Sequence, residues 1–202
     1  MMMKRVDIKT GYLCNNNCRF CVQAHNKKYA NKSYDEILLS LQDAKKAGCT
    51  GVVFTGGEFT LRKDALQLVR FARDLGFSVI QIQSNGRLFS NRRFCKDIIR
   101  AGANEFSPAL HGHTAPIHDY LTRAPGSYTQ TVKGIRNLKE LGQYIIVNSL
   151  VVKPNYRYAP NIAKLFSELG VDQFQFAFVH ALGNAQDNFE EMVPIKSLAV
   201  PY

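Results

Sequence analysis

The stretch VDIKTGYLCNNNCRFC, residues 6–21, opens as an apolar run of β character and ends in three cysteines, Cys14, Cys18 and Cys21. A strand that releases its reactive side chains into the loop at its C-terminal end is typical of parallel α/β architectures, where functional groups collect at that end. The rest of the chain repeats this opening. Further strand patterns at 51–55, 78–83, 105–110, 144–152 and 173–178 follow the first at 6–13, with amphipathic helical patterns at 33–47, 62–75, 92–101, 127–141 and 160–169 between and after them. The helices end alike, at Ala47-Gly48, Leu75-Gly76, Ala101-Gly102, Leu141-Gly142 and Leu169-Gly170, each glycine suiting a left-handed C-terminal cap.

Five copies of one ending argue for one repeating βα unit, whose parallel strands need right-handed helical crossovers. The sixth unit starts at 173–178 and stops inside 189–202, which reads as an opening helix or connection. The expected fold is α/β: an open, partial (β/α)6 TIM-like barrel of parallel strands, two strands short of closure. We expect a single domain over residues 1–202 that could be the N-terminal portion of a longer chain.

A hydrophobic fraction of 46% and a charged fraction of 21% are those of a folded, soluble protein. No apolar run approaches the roughly 18 residues of a membrane span, and no apolar signal region follows residues 1–5, so the cytoplasm is the expected compartment and a membrane is not an expected partner. A net charge of +10 would attract nucleic acid, an acidic peptide or a phosphorylated small molecule. The basic residues are scattered rather than run together, and no aromatic-interleaved basic stripe favours nucleic acid.

Five cysteines, three of them within eight residues, do not make a secreted disulfide framework. Cys49 and Cys95 stand alone and read as structural. Three thiolates at spacings of three and two intervening residues suit an iron–sulfur cluster with one metal left open to an exogenous group. A zinc knot with His25 as fourth ligand is the alternative from spacing alone. After the second strand comes Gly56-Gly57-Glu58, a turn in which backbone can approach a ligand closely beside a carboxylate.

Taken together, the CxxxCxxC cysteines, Phe20 just before the last of them, Gly56-Gly57-Glu58 and Ser84-Asn85-Gly86 after the third strand resemble the radical S-adenosylmethionine superfamily. The resemblance implies a [4Fe-4S] cluster held by Cys14, Cys18 and Cys21, with S-adenosylmethionine bound at the fourth iron. Gly56, Gly57 and Glu58 would receive the methionine amino group, and Phe20 would lie against the adenine. Reductive cleavage would give methionine and a 5′-deoxyadenosyl radical that abstracts hydrogen from a substrate, the cofactor supplying the chemistry and the protein the orientation. An external electron donor such as flavodoxin or ferredoxin is implied as a partner.

Ser84, Asn85 and Asn148 are further cofactor-binding candidates, each equally readable as a turn or core polar residue. Where many members carry a serine two residues before a glycine, this chain reads Ala109-Leu110-His111-Gly112-His113, so that contact would fall to Ser107. Arg123 is a candidate clamp for the cofactor carboxylate. His111, His113 and His118 are candidate metal ligands or proton carriers, or simply hydrogen-bonded loop residues. Gln175 and residues 179–184 are candidates to line the adenine or substrate pocket. The expected substrate is a small molecule or peptide, in cofactor biosynthesis or peptide maturation. The alternatives are an RNA-modifying enzyme or a non-catalytic iron–sulfur or zinc protein.

Overall fold

The computed structural model describes residues 4–199. Its elements alternate: β1 (Arg5–Lys9), α1 (Tyr34–Lys46), β2 (Gly51–Thr55), α2 (Ala65–Asp74), β3 (Val79–Ser84), α3 (Arg92–Ala101) and β4 (Glu105–Pro108). Two helices then follow in succession, α4 (Ala115–Thr122) and α5 (Ser127–Glu140), before β5 (Tyr144–Val151), α6 (Ala159–Glu168) and β6 (Gln173–Phe178). Three single-turn helices close the described chain, α7 (Asn184–Asp187), α8 (Phe189–Met192) and α9 (Lys196–Ala199).

All six strands are parallel and ordered β1 to β6, so among the described residues β1 and β6 are the edges of an open barrel. The two-residue strand period sorts the side chains. Val52, Phe54, Ile80, Ile82, Phe106, Ile145 and Val147 face outward into one core with Ile37, Leu41, Leu68, Ile98, Leu138 and Phe166 of the covering helices. The alternate positions face the lumen and are largely polar. Helix α1 carries a capping box in which Ser33 Oγ accepts from the Glu36 amide (3.2 Å) and Glu36 Oε2 from the Ser33 amide (2.7 Å). The five glycines after the helices all have positive φ, between 65° and 130°.

Among β1 to β6 and α1 to α6, three differences from the sequence reading exceed two residues. β1 stops at Lys9 instead of running to residue 13, because the carbonyls of Gly11 and Leu13 accept from the amides of Gly57 (2.8 Å) and Glu58 (2.7 Å) in a loop-to-turn contact outside the ladder. α2 starts at Ala65, since Phe59–Leu61 forms a separate 3-10 turn. Helix α4 occupies a stretch read as histidine-rich loop: its eight residues make barely two turns, too few for the period of 3.6 to show. Residues 200–202 of the expected final connection lie outside the described residues.

Candidate active site

The loops after β1, β2 and β3 enclose an open-mouthed cavity of about 300 Å³, and Cys14, Cys18, Cys21, Gly56, Gly57, Ser84 and Asn85 all line it. The cysteine loop has few backbone partners of its own and is clamped by its neighbours. The amides of Asn17 and Arg19 donate to the carbonyls of Thr122 (3.0 Å) and Leu121 (2.9 Å) at the end of α4. Arg87 donates to Asn15 O (2.7 Å) and Asn16 Oδ1 (2.9 Å), and Asn184 Nδ2 to Cys18 O (2.7 Å). Residues 179–184, expected as pocket lining, instead support the cysteine loop from behind through Asn184 and Gly183.

The glycine turn is built for close approach. A Cβ on Gly57 would lie 2.2 Å from Leu13 O, and one on Gly56, whose φ is 130°, 2.4 Å from Gly11 O. Glu58 lies behind this turn, 4% exposed. Its carboxylate accepts from Thr60 N (3.1 Å), Thr60 Oγ1 (2.6 Å), Ser84 Oγ (2.8 Å) and Asn85 N (2.6 Å). Burial pushes its carboxyl above the usual range while those four donors pull it back. Glu58 thus ties the β2 turn to the β3 turn and is absent from the cavity lining.

Burial pushes the Cys18 thiol up to about 12, reinforced by Cys21 and Cys14, and burial also raises Cys14. Such thiols are protonated until a metal displaces the proton. Asn16 N (3.4 Å) and Asn85 Nδ2 (3.9 Å) point at Cys14 Sγ. Among the described residues no three His, Cys, Asp or Glu side chains converge on a single-ion site. His25, the fourth ligand of the zinc alternative, is turned onto Asp187 (Nε2 to Oδ2, 2.7 Å). The donor set is therefore three thiols around one cavity, which fits a multi-iron cluster better than a tetrahedral zinc ion.

The other expected site residues fall into two groups. Ser107 and Asn148 meet between β4 and β5 and do not line the cavity, Asn148 Nδ2 donating to Ser107 Oγ at 2.6 Å, while Asn148 Oδ1 is buried without a partner. Phe20 is buried in a T-shaped pair with His111, 4.8 Å between centroids, and does not itself line the cavity. Arg123 is exposed at the end of α4, within 3.4 Å of Asn188 Oδ1, and does not line the cavity. Gln175 is exposed on β6. Cys49 and Cys95 are buried apart from the site.

His111 and His118 are held as neutral framework residues. His111 Nδ1 accepts from the Leu150 amide (3.1 Å) and His118 Nδ1 from the His111 amide (3.1 Å), so each ring carries its proton on Nε2. Burial pushes His111 down to about 3 and His118 down to about 4, leaving both neutral. The cavity lining includes His111, a candidate from sequence, and Lys9, Thr55 and Gln83, which sequence reading did not assign to the site. The two-residue period of β1 to β3 was the signal that pointed to the last three.

An α/β half-barrel with three cysteines and a glycine turn facing one cavity at its strand C-terminal ends is the architecture of a cluster-dependent, cofactor-binding enzyme. The chain belongs to the radical SAM superfamily, whose family model matches residues 8–166. The cofactors of that superfamily are a [4Fe-4S] cluster and S-adenosylmethionine. The chain is 30% identical over 180 residues to an AdoMet-dependent heme synthase of Oleidesulfovibrio alaskensis, covering 85% of this chain and 44% of that protein. It is 26% identical over 189 residues to a probable GTP 3′,8-cyclase of Sulfurisphaera tokodaii, covering 93% and 59%. The chain thus spans about half the length of these curated relatives. Among solved structures, SuiB of Streptococcus suis bound to its precursor peptide SuiA superposes with a TM-score of 0.76 at 19% identity, over 89% of this chain and 40% of that one. SuiB bound to S-adenosylmethionine superposes equally well. These likenesses show the fold. No described helix is long and apolar enough to cross a membrane.

Proposed function

We propose that this chain is the catalytic core of a radical S-adenosylmethionine enzyme acting on a small molecule, in the manner of cofactor biosynthesis. The carrying observation is that three thiols from the loop after β1 and the Gly56-Gly57 turn after β2 face the same cavity. Cys14, Cys18 and Cys21 would hold the cluster, and the cavity-lining backbone of Gly56 and Gly57 would receive the amino group of S-adenosylmethionine. When bound, cluster and cofactor supply an electron and a 5′-deoxyadenosyl radical that abstracts a substrate hydrogen. Glu58 contributes by holding Ser84 and Asn85 against the turn. His111 would offer a wall for the adenosyl group, with Phe20 packed against its ring, and Ser107 with Asn148 would support the lumen side of β4 and β5. A small molecule is favoured over a peptide because the relatives of higher identity are named for heme and GTP chemistry, whereas the peptide-bound neighbour shares the fold alone. A flavodoxin or ferredoxin would supply the electron.

The test is anaerobic reconstitution with iron and sulfide, dithionite reduction with S-adenosylmethionine, and chromatographic assay of 5′-deoxyadenosine. Product from the intact chain that disappears in Cys18→Ala supports the proposal. A fully loaded cluster that yields none refutes it for this chain.

A further inference from the structure

The lumen face of the sheet carries a polar side chain from each strand at nearly one level. Lys9 of β1 is in register with Thr55 of β2, and Thr55 Oγ1 donates to Gln83 Oε1 of β3 at 2.6 Å. Gln83 is in register with Ser107 of β4, which accepts from Asn148 of β5, itself in register with Gln175 of β6. In the level beneath, Asp7 of β1, Gln81 of β3 and Glu105 of β4 are in register, and Glu105 is held by Arg5, which donates to both its oxygens (2.5 and 3.1 Å), and by Gln81 Nε2 (2.5 Å). The upper level is not closed. No described residue gives the Lys9 ammonium an ion pair or hydrogen bond, Gln83 has spent its oxygen on Thr55 but not its amide hydrogens, and Asn148 Oδ1 has no donor.

Lys9, Thr55 and Gln83 line the same cavity as the three cysteines. The charge around them is one-sided. The two ionisable cations there are Lys9 and Lys27, and no aspartate or glutamate lines the cavity. Lys27 is already committed to Asn16 O (3.2 Å) and Asn17 Oδ1 (3.3 Å) at the cysteine loop. An ammonium and a primary amide with only donors left, in a cavity without carboxylates, are complementary to an oxyanion.

Resting on the function proposed above, we propose that Lys9 and Gln83 form a substrate subsite that binds a carboxylate or phosphate group of the substrate on the β1–β3 wall of the lumen. The oxyanion accepts from the Lys9 ammonium and the Gln83 amide. Thr55 fixes the Gln83 amide with its hydrogens toward the ligand. The subsite orients an anionic small molecule at the strand ends, beside the cysteine loop.

The experiment is trace acetylation of lysines with mass-spectrometric readout, on reconstituted protein saturated with S-adenosylmethionine. Pyrophosphate and citrate are the probes for the phosphate and carboxylate arms, with exposed Lys63 and Lys96 as internal controls. Saturable protection of Lys9 alone is expected with at least one probe, about tenfold at ten times its midpoint concentration. Pyrophosphate protection alone assigns a phosphate, citrate protection alone a carboxylate, and protection by both the shared oxyanion chemistry. Gln83→Ala should raise the midpoint about tenfold, the worth of one hydrogen bond to a charged group. Equal protection of Lys9, Lys63 and Lys96, protection by neither probe, or full protection by S-adenosylmethionine before either is added overturns the subsite. The 5′-deoxyadenosine assay separates the two proposals: product with an unprotected Lys9 removes the subsite alone, and a protected Lys9 with no product removes the radical function alone.

Discussion

His111 and His118 show how burial converts a reactive residue into a framework residue. Each ring accepts a backbone amide, their centroids are 5.8 Å apart and nearly parallel, and neither has room for a second proton. The unfolded chain protonates them near pH 6.5, while the folded chain resists until about 3 and about 4. Below about pH 6.5 the unfolded state therefore binds more protons, and stability falls with falling pH by up to about 1.4 kcal/mol per unit for each histidine. Urea midpoints between pH 7 and 5 should show this slope, and His118→Asn should lose one histidine's share of it whatever its absolute stability. An unchanged slope would mean that the ring is already open to water. Glu58 is held in the same way, its buried carboxylate fixed by four protein donors that join the β2 turn to the β3 turn.

Among the elements, β6 is the exposed one. Phe174 and Phe176 remain 45% and 37% exposed although they pack on Phe166, and the strand is paired on one side only. An edge strand with apolar side chains and unpaired amides invites association. Phe176→Ser should lower concentration-dependent self-association measured by light scattering, at a cost of about 1 kcal/mol or less in stability. Equal scattering from both proteins would show that β6 is not the sticky edge. The helices, by contrast, were legible in advance, because glycine endings and 3.6-residue apolar periods are local properties. α4 was the exception, two turns being too short for a period.

For the whole molecule, the open barrel is braced across its lumen. Arg5 of β1 reaches Glu105 of β4, three strands away, with Gln81 of β3 on the same carboxylate. Glu105 is 7% exposed, so removing it takes the acceptor from the buried Gln81 amide and the bidentate carboxylate from Arg5. Glu105→Ala should cost about 2–4 kcal/mol by urea denaturation, and Glu105→Gln less. A loss below 1 kcal/mol would show that the sheet keeps its curvature without the brace. The cysteine spacing, the glycine turn and the strand–helix rhythm were readable along the chain, since each is a pattern among near neighbours. The seat of Glu58, the outward position of Arg123 and the Lys9–Thr55–Gln83 level were not. Those depend on register between strands some thirty to forty-five residues apart and on which face a loop turns toward the cavity, and packing, not local preference, sets both.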